Sequence, residues 1–260
     1  MLLSLRMVLL CLHFLVAGIL GVLLGLCRPF NPDNSRLCAR LYAWPSRWIL
    51  GYTLKAEVDS LVDKPQSCVI IANHQSNYDL FVFGNVVPHR TVCIGKKSLK
   101  WVPLFGQLFW LGGNVLIDRG NARKARQSML TTTRTLQEQD TSIWVFPEGT
   151  RNLGSTLLPF KKGAFQMAIT AGVPIVPVCA STYIQHLKLN RRHNTAILIR
   201  SLPAIPTVGL TLDDLPALVE HCREQMRACI EAMDRELSAA QNTPVHALAE
   251  RNTRESNPNP

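Results

Sequence analysis

A histidine and an aspartate five residues apart, His74 and Asp79, lie in the run Asn73-His74-Gln75-Ser76-Asn77-Tyr78-Asp79. Histidine as a residue type titrates near neutrality, so it can accept a proton in a reaction run at neutral pH. An aspartate that holds one ring nitrogen fixes the tautomer and leaves the other nitrogen free for that proton. The spacing restricts how the two can meet. On one continuous helix, residues five apart point about 140° from each other. They can touch only if His74 stands on a loop and Asp79 lies in the first turn of the helix that follows. The flanks give that arrangement, because an apolar run ends at Ala72 and an apolar helical run starts at Ser76. A plainer reading uses the same residues: Ser76 and Asp79 also fit a capping box, and His74 could be a hydrogen-bonded loop histidine.

A second segment, Phe146-Pro147-Glu148-Gly149-Thr150-Arg151, follows another apolar run. Its proline and glycine turn the backbone out of a strand. Arg151 then projects near the strand's carboxyl end, where ligands bind in α/β sheets. Arg119 follows a third apolar run in the same way, and Lys96, Lys97, Lys161 and Lys162 stand near further element ends. Converging cations suit a phosphate monoester, which arginine can grip with two parallel hydrogen bonds. Taken singly, each of these cations reads more simply as a solvated surface charge.

The elements that must position these groups follow from residue 52 onward. Short apolar runs predict strands over Leu54 to Val58, Cys68 to Ala72, Thr91 to Gly95, Asn114 to Ile117, Ser142 to Phe146, Ile175 to Cys179 and Thr195 to Arg200. Helical stretches fall between them, over Ser76 to Val86, Trp101 to Phe109, Asn121 to Gln139 and Lys162 to Ala171. Such alternation predicts an α/β domain with a largely buried sheet. Near the end, Leu215, Leu218, Cys222, Met226, Cys229, Met233 and Leu237 step by three or four residues and form one apolar helix stripe. Thr211 and Asp214 read as its capping box. Residues 241 to 260 are polar, rich in asparagine and proline, and read as a disordered tail.

The N-terminus is of another kind. Residues 7 to 27 are almost wholly apolar and bracketed by Arg6 and Arg28. As a helix they would reach about 31 Å, close to the ~30 Å of a bilayer core. The small-x-small cleavage site of a signal peptide is not clear here. A second amphipathic segment, Ser35 to Leu50, interleaves Trp44, Trp48 and Tyr42 with Arg36, Arg40 and Arg47. Aromatic and basic residues together suit a bilayer interface, and an ordinary helix packed on the domain fits equally. Whether residues 7 to 27 span the bilayer or dip into it as half of a hairpin stays open. Gly21 and Gly25 have GxxxG spacing, which alone says little about dimerisation.

The 260 residues carry 28 Lys and Arg against 18 Asp and Glu, a formal charge of +10. That excess favours an anionic partner. Nucleic acid fits less well than acidic lipid or a phosphorylated substrate, for want of a recognition-helix, zinc-finger or RNP-like pattern. None of the eight cysteines forms a CxxC pair, and several lie in apolar runs. They read as reduced core cysteines in a reducing compartment, and His221-Cys222 is too little for a metal site.

Taken in order, these blocks resemble the glycerolipid acyltransferases. Asn73-His74 through Asp79 resembles their N-H-x4-D signature, and Phe146 through Arg151 their F-P-E-G-T-R block. Gly113 through Arg119 resembles a block ending in arginine, and Val173-Pro174-Ile175-Val176-Pro177 the final proline-containing block. Pro159 through Phe165, and Lys97 followed by Pro103-Leu104-Phe105-Gly106, are similar as well. The set spans roughly residues 70 to 180, and the whole is most similar to the bacterial 1-acyl-sn-glycerol-3-phosphate acyltransferase family. Two departures stand out: Lys97-Ser98-Leu99 where Lys-Glu-Leu is common, and Leu116-Ile117 where Phe-Ile is common.

The resemblance implies an α/β fold with a mixed sheet of about seven strands flanked by helices, behind an N-terminal membrane helix or two-helix membrane motif. It implies anchoring helices over 1–52, a catalytic domain over 53–240 and a tail over 241–260. It implies His74 as general base and Asp79 as its orienter. Arg119, Arg151 and Lys97 would bind the acceptor's phosphate, and Glu148, Gly149 and Thr150 the acceptor. Val173, Pro174 and Ile175 would lie near the acyl donor. The implied reaction moves an acyl chain from acyl-CoA or acyl-carrier protein to the sn-2 hydroxyl of 1-acyl-sn-glycerol-3-phosphate (lysophosphatidic acid), giving phosphatidic acid, with no metal or cofactor. Another lysophospholipid or an amino-acid lipid as acceptor, a thioesterase, and a non-catalytic protein binding anionic membrane phospholipid are the alternatives. Cytosolic donors, unpaired cysteines and the arginines at 28, 36, 40 and 47 place the domain on the cytoplasmic side of the inner membrane.

Overall fold

The structure, a computed structural model, describes residues 1–62, 67–118, 120, 132, 140–154 and 156–242. All seven strands expected from the apolar runs form, with ends displaced by at most two residues. They are β1 (Leu54–Glu57), β2 (Val69–Ala72), β3 (Thr91–Lys96), β4 (Val115–Ile117), β5 (Ser142–Val145), β6 (Ile175–Ala180) and β7 (Ile197–Ser201). They make one sheet in the order β1-β7-β6-β2-β5-β3-β4. Every pairing is parallel except β6 with β7, so β1 and β7 run opposite to the other five. β2 lies at the centre, and its four residues are buried on both faces. That is why Val69–Ala72 reads as an unbroken apolar run and not as an alternating one.

The helices cover the two faces. α1 spans Leu2–Cys27, α2 Asp33–Leu50, α3 Asp59–Val62, α4 Asp79–Phe83, α5 Phe105–Leu111, α6 Gly163–Ala171 and α7 Leu215–Asn242. On one face, Val69, Ile71, Ile143 and Ile175 pack with α6 and α7. The α7 stripe supplies Leu215, Leu218, Cys222, Met226, Cys229 and Met233 to this core, with Leu237 at its edge. On the other face, Ile70, Ala72, Trp144 and Val178 pack with α4 and with Leu50 at the end of α2. Ahead of α7, the Asp214 carboxylate accepts the Thr211 N–H at 2.8 Å, so half of the expected capping box forms. All eight cysteines are free thiols, Cys11 and Cys27 exposed on α1.

Two helices depart from expectation. The stretch Ser76 to Val86 is helical only over Asp79–Phe83. At its end Asn85 Nδ2 donates to the Phe81 and Val82 carbonyls at 2.8 and 3.1 Å, and Gly84 lies so close to α2 that a Cβ there would come 2.6 Å from the Ala39 carbonyl. Trp101 to Phe109 is not one helix either. A 3₁₀ turn over Lys97–Trp101 gives way at Pro103 to α5, with Leu104 between them at φ +62°. Proline bars its predecessor from helical geometry, and that signal stood in the sequence. The stretch Asn121 to Gln139 lies outside the described residues save Thr132, as does the tail beyond residue 242.

α1 packs on the domain along one side. Ala17 is buried, and Gly18, Gly21 and Gly25 meet Leu104, Leu108 and Leu111 so closely that any Cβ would come within 2.7–3.1 Å of them. The GxxxG spacing thus serves a contact inside the chain. The opposite side, including Leu5, Leu12, Leu15, Ile19 and Leu23, is exposed. α1 is long and apolar enough to cross a membrane, about 39 Å at ~1.5 Å per residue.

Candidate active site

Five parallel strands end on the same side of the sheet, and the loops that follow β2, β5 and β6 meet there. Asn73 leaves β2 and keeps pairing with β6 through its side chain. Its Nδ2 donates to the Ala180 carbonyl at 2.9 Å, and its Oδ1 accepts the Ala180 N–H at 2.8 Å. Gln75 repeats the trick one step further out, donating to Ser181 O at 2.8 Å and accepting the Tyr183 N–H at 3.0 Å. Both side chains therefore fix the backbone on either side of His74.

His74 stands between them on the loop, and Asp79 opens α4. The imidazole Nδ1 lies 2.5 Å from Asp79 Oδ2. The same oxygen accepts the N–H groups of Gln75 at 2.8 Å and Ser76 at 3.1 Å. The carboxylate that accepts the Ser76 N–H, as half of the expected capping box, is thus also the one that holds the histidine. Asp79 is only 3% exposed. Its second oxygen is not wasted: Oδ1 accepts the hydroxyl of Tyr183. Burial, followed by the negative charge of Asp79, pushes the Tyr183 hydroxyl well above tyrosine's ordinary range, so it stays protonated and donates. Buried polar groups need such partners, and both oxygens of Asp79 have them.

With Nδ1 engaged, Nε2 of His74 has no hydrogen-bond partner among the described residues, and the side chain is 22% exposed. Its ring stacks on Phe146 at 4.2 Å between centroids and 19° between planes. The ring is thus held at one nitrogen and along one face, with Nε2 left open.

The loop after β5 braces this loop from the other side. Asn152 N donates to His74 O at 2.7 Å, and His74 N donates to Glu148 Oε1 at 2.8 Å. Glu148 Oε2 accepts Leu158 N at 3.1 Å. The Glu148 side chain, in a residue 2% exposed, is thus taken up by backbone groups on both oxygens. Burial pushes its carboxyl up, while the N–H donors of His74 and Leu158 pull it down. Gly149 has φ +72°, and a Cβ there would lie 3.3 Å from Cγ of Lys161. Glycine therefore both makes the turn and lets the lysine stem pass over it. Thr150 and Arg151 are exposed. Arg151 immediately precedes Asn152 and forms no ion pair with a described residue.

The remaining expected residues fall as follows. Lys97, at the end of β3 two strands from β2, pairs with Asp118 at 3.6 Å, a partner the sequence did not suggest. Arg119 lies outside the described residues. Val173, Pro174 and Ile175 stand at the amino-terminal end of β6. β2 runs parallel to β6 with Val69 beside Ile175, so His74 is at the far end of that pair. It is the exit of β6, Ala180 to Tyr183, that reaches the site. Tyr183 and its support, Thr182 held by the Asp234 carboxylate of α7 at 2.6 and 2.8 Å, escape a reading of sequence alone. Strand order would have exposed them, since residues leaving neighbouring parallel strands must meet.

A histidine held by a buried carboxylate with Nε2 open, beside an exposed arginine that pairs with no acid among the described residues, has the geometry to take a proton from a hydroxyl of an anionic molecule. Comparison with known proteins adds to this. A family model described as Acyltransferase matches residues 55–181. The 1-acyl-sn-glycerol-3-phosphate acyltransferase of Escherichia coli is 39% identical over 235 residues, covering 90% of this chain and 95% of that one. The enzyme of that name from Haemophilus influenzae is 40% identical over 240 residues, covering 92% and 99%. The human protein named 1-acyl-sn-glycerol-3-phosphate acyltransferase alpha is 37% identical over 214 residues, covering 82% and 75%. In fold, the chain is similar to the crystal structure of the 1-acyl-sn-glycerophosphate acyltransferase of Thermotoga maritima. The TM-score is 0.65 at 19% identity, over 93% of this chain and 99% of that one.

Proposed function

For this chain, which belongs to the family of 1-acyl-sn-glycerol-3-phosphate acyltransferases, we propose that His74 and Asp79 transfer an acyl group from a thioester to the sn-2 hydroxyl of lysophosphatidic acid. The observation that carries this reading is the His74–Asp79 pair at the carboxyl end of β2, with Nε2 open. The acceptor hydroxyl approaches Nε2, which takes its proton as the oxygen attacks the thioester carbonyl. Asp79 holds the tautomer that makes Nε2 the acceptor and stabilises the imidazolium as it forms. The tetrahedral adduct then expels the thiolate, which recovers the proton from the imidazolium. The products are phosphatidic acid and a free thiol.

A thioester is already activated, so the steps need neither a covalent enzyme intermediate nor a metal or cofactor. Arg151, with Arg119 and Lys97, takes the acceptor's phosphate and so positions the hydroxyl; positioning of this kind supplies several kcal/mol of a barrier. Thr150 and the Gly149 turn lie beside that phosphate. Glu148 acts one step back, by fixing the backbone of His74. The donor is acyl-CoA or acyl-carrier protein. The donor chain comes from the membrane side, where α1 shows its exposed leucines, and the chain sits on the inner membrane with its active site toward the cytoplasm.

The test is product identity. Purified protein in detergent, given oleoyl-CoA or oleoyl-carrier protein with lysophosphatidic acid, should yield phosphatidic acid on lipid extraction. Lysophosphatidylcholine, whose phosphate is a diester, should react far more slowly. Equal rates on both acceptors would remove the phosphate monoester from the account.

A further inference from the structure

At the same end of the sheet as His74, but toward the β1 edge and lined by none of the residues around His74, a cleft of about 720 Å³ opens between the start of α1, the end of α2 and the turn before β7. Its charge is one-sided. Arg6, Arg47, Arg192 and His193 line it, and no aspartate or glutamate does. The rest of the wall is apolar, with Leu2, Leu5 and Leu9 of α1 on one side and Trp48 on the other.

Arg6 is the unusual member. It is 4% exposed, and its guanidinium donates only to backbone carbonyls, those of Lys188, Leu189, Arg191 and Arg192. Carbonyl dipoles satisfy its N–H groups but bring no negative charge. Among the described residues, no carboxylate comes within ion-pair distance of it. A buried charge without a counter-charge is costly, and an anion in the cleft would offset that cost.

The cationic wall is also pre-built. Asn194 holds the turn by accepting Lys188 N at 2.7 Å and by donating to Lys188 O at 3.0 Å and Leu50 O at 2.7 Å. Gly51, at φ +68°, closes the join: a Cβ there would lie 2.5 Å from Arg192 O and 2.8 Å from Arg6 Nη2. Arg47 lies over the ring of Trp48, 5.1 Å from its centroid, and makes no ion pair among the described residues. Arg192 and His193 are exposed and unpaired among the described residues. Arg6 supplies fixed charge, and Arg47 and Arg192 have guanidinium groups of the kind that pair with phosphate.

We propose that this cleft binds the phosphate headgroup of one anionic phospholipid from the surrounding membrane, with an acyl chain lying along Leu2, Leu5 and Leu9. A free anion would use the cations and leave the leucine wall in water, whereas a lipid uses both. The leucine wall also continues into the exposed apolar side of α1. Neither His74 nor Asp79 lines the cleft. It rests on α1 facing the membrane and not on the acyl-transfer steps.

Native mass spectrometry of the full chain in detergent, with equal phosphatidylglycerol and phosphatidylcholine, tests it. Wild type should retain one phosphatidylglycerol with about thirtyfold preference, the size expected from two arginines beside one net negative headgroup. Arg47→Gln with Arg192→Gln should lose that preference, and Arg192→Gln alone, an exposed change that spares the fold, should lose part of it. His74→Ala should keep it in full. A charge-matched control, Arg223→Gln with Arg227→Gln on α7, should keep it as well. Equal retention of both lipids by wild type would overturn the proposal, as would equal losses in the cleft and control variants. Loss of preference in His74→Ala would move the bound lipid to the active site. Displacement by millimolar inorganic phosphate would make the cleft a free-anion site; either of these last results also overturns the proposal.

Discussion

Tyr183→Phe removes one oxygen atom and, with it, the hydrogen bond to Asp79 Oδ1. The ring volume is unchanged, so the packing of Tyr183 against the Ile70 face of the sheet survives. The hydroxyl's other contact, Ser76 Oγ at 3.2 Å, keeps its bond to Tyr78 N at 2.9 Å. What is lost falls on the carboxylate. Oδ2 keeps His74, Gln75 and Ser76, but Oδ1 is left inside the protein with no donor. A hydrogen bond to a charged acceptor contributes about 1.5–3 kcal/mol net. If that restraint is needed where the imidazolium forms, kcat should fall about ten- to a hundredfold, since ~1.4 kcal/mol is one factor of ten. The acceptor's KM should stay within about threefold, because Tyr183 lies behind Asp79 and away from the substrate. The assay is thiol release from oleoyl-CoA at varied lysophosphatidic acid. A kcat within about twofold of wild type would show that Asp79 needs no second anchor, and a rise in KM alone would place Tyr183 in binding instead.

Two further outcomes follow from the loop after β5. Arg151→Ala should lower kcat/KM for lysophosphatidic acid by at least about tenfold, the loss of one charge-assisted contact, and leave a neutral monoacylglycerol acceptor nearly unaffected; steady-state kinetics on the two acceptors compare them directly. Glu148 has its carboxyl raised by burial, so the folded chain holds that proton more readily than the unfolded one. Its contribution to stability is therefore full below the ordinary glutamate range and declines as pH rises through the raised value. Glu148→Gln should remove that part of the slope of melting temperature against pH. It should also lower stability by about 1–3 kcal/mol, because one of two buried N–H groups faces an amide nitrogen in place of an oxygen.

Much of this molecule can be read from its residues, because strands and motif loops are local. An apolar run such as Val69–Ala72 needs no partner to be recognised, and His74 to Asp79 is decided by five positions and a helix start. What escapes depends on neighbours distant in sequence. Tyr183 matters to Asp79 only because β6 lies beside β2, across a separation of 104 residues. The close approach of Gly84 to the Ala39 carbonyl of α2, which leaves no room for a Cβ, is another contact no local pattern reveals. Glu148 looks like a substrate ligand when read alone, and only the fold shows both its oxygens on backbone N–H groups. The break at Pro103 is a different case: its signal was local, and the apolar spacing around it outweighed it.

The central claim is that His74 is the base for transfer to a lipid hydroxyl. Thiol release from oleoyl-CoA by the purified chain, with and without lysophosphatidic acid and beside His74→Ala, measures it most directly. The account predicts release that depends on the acceptor and is abolished in His74→Ala, whose melting temperature stays close to that of wild type. Substantial turnover by His74→Ala, or equal release with the acceptor left out, would contradict it.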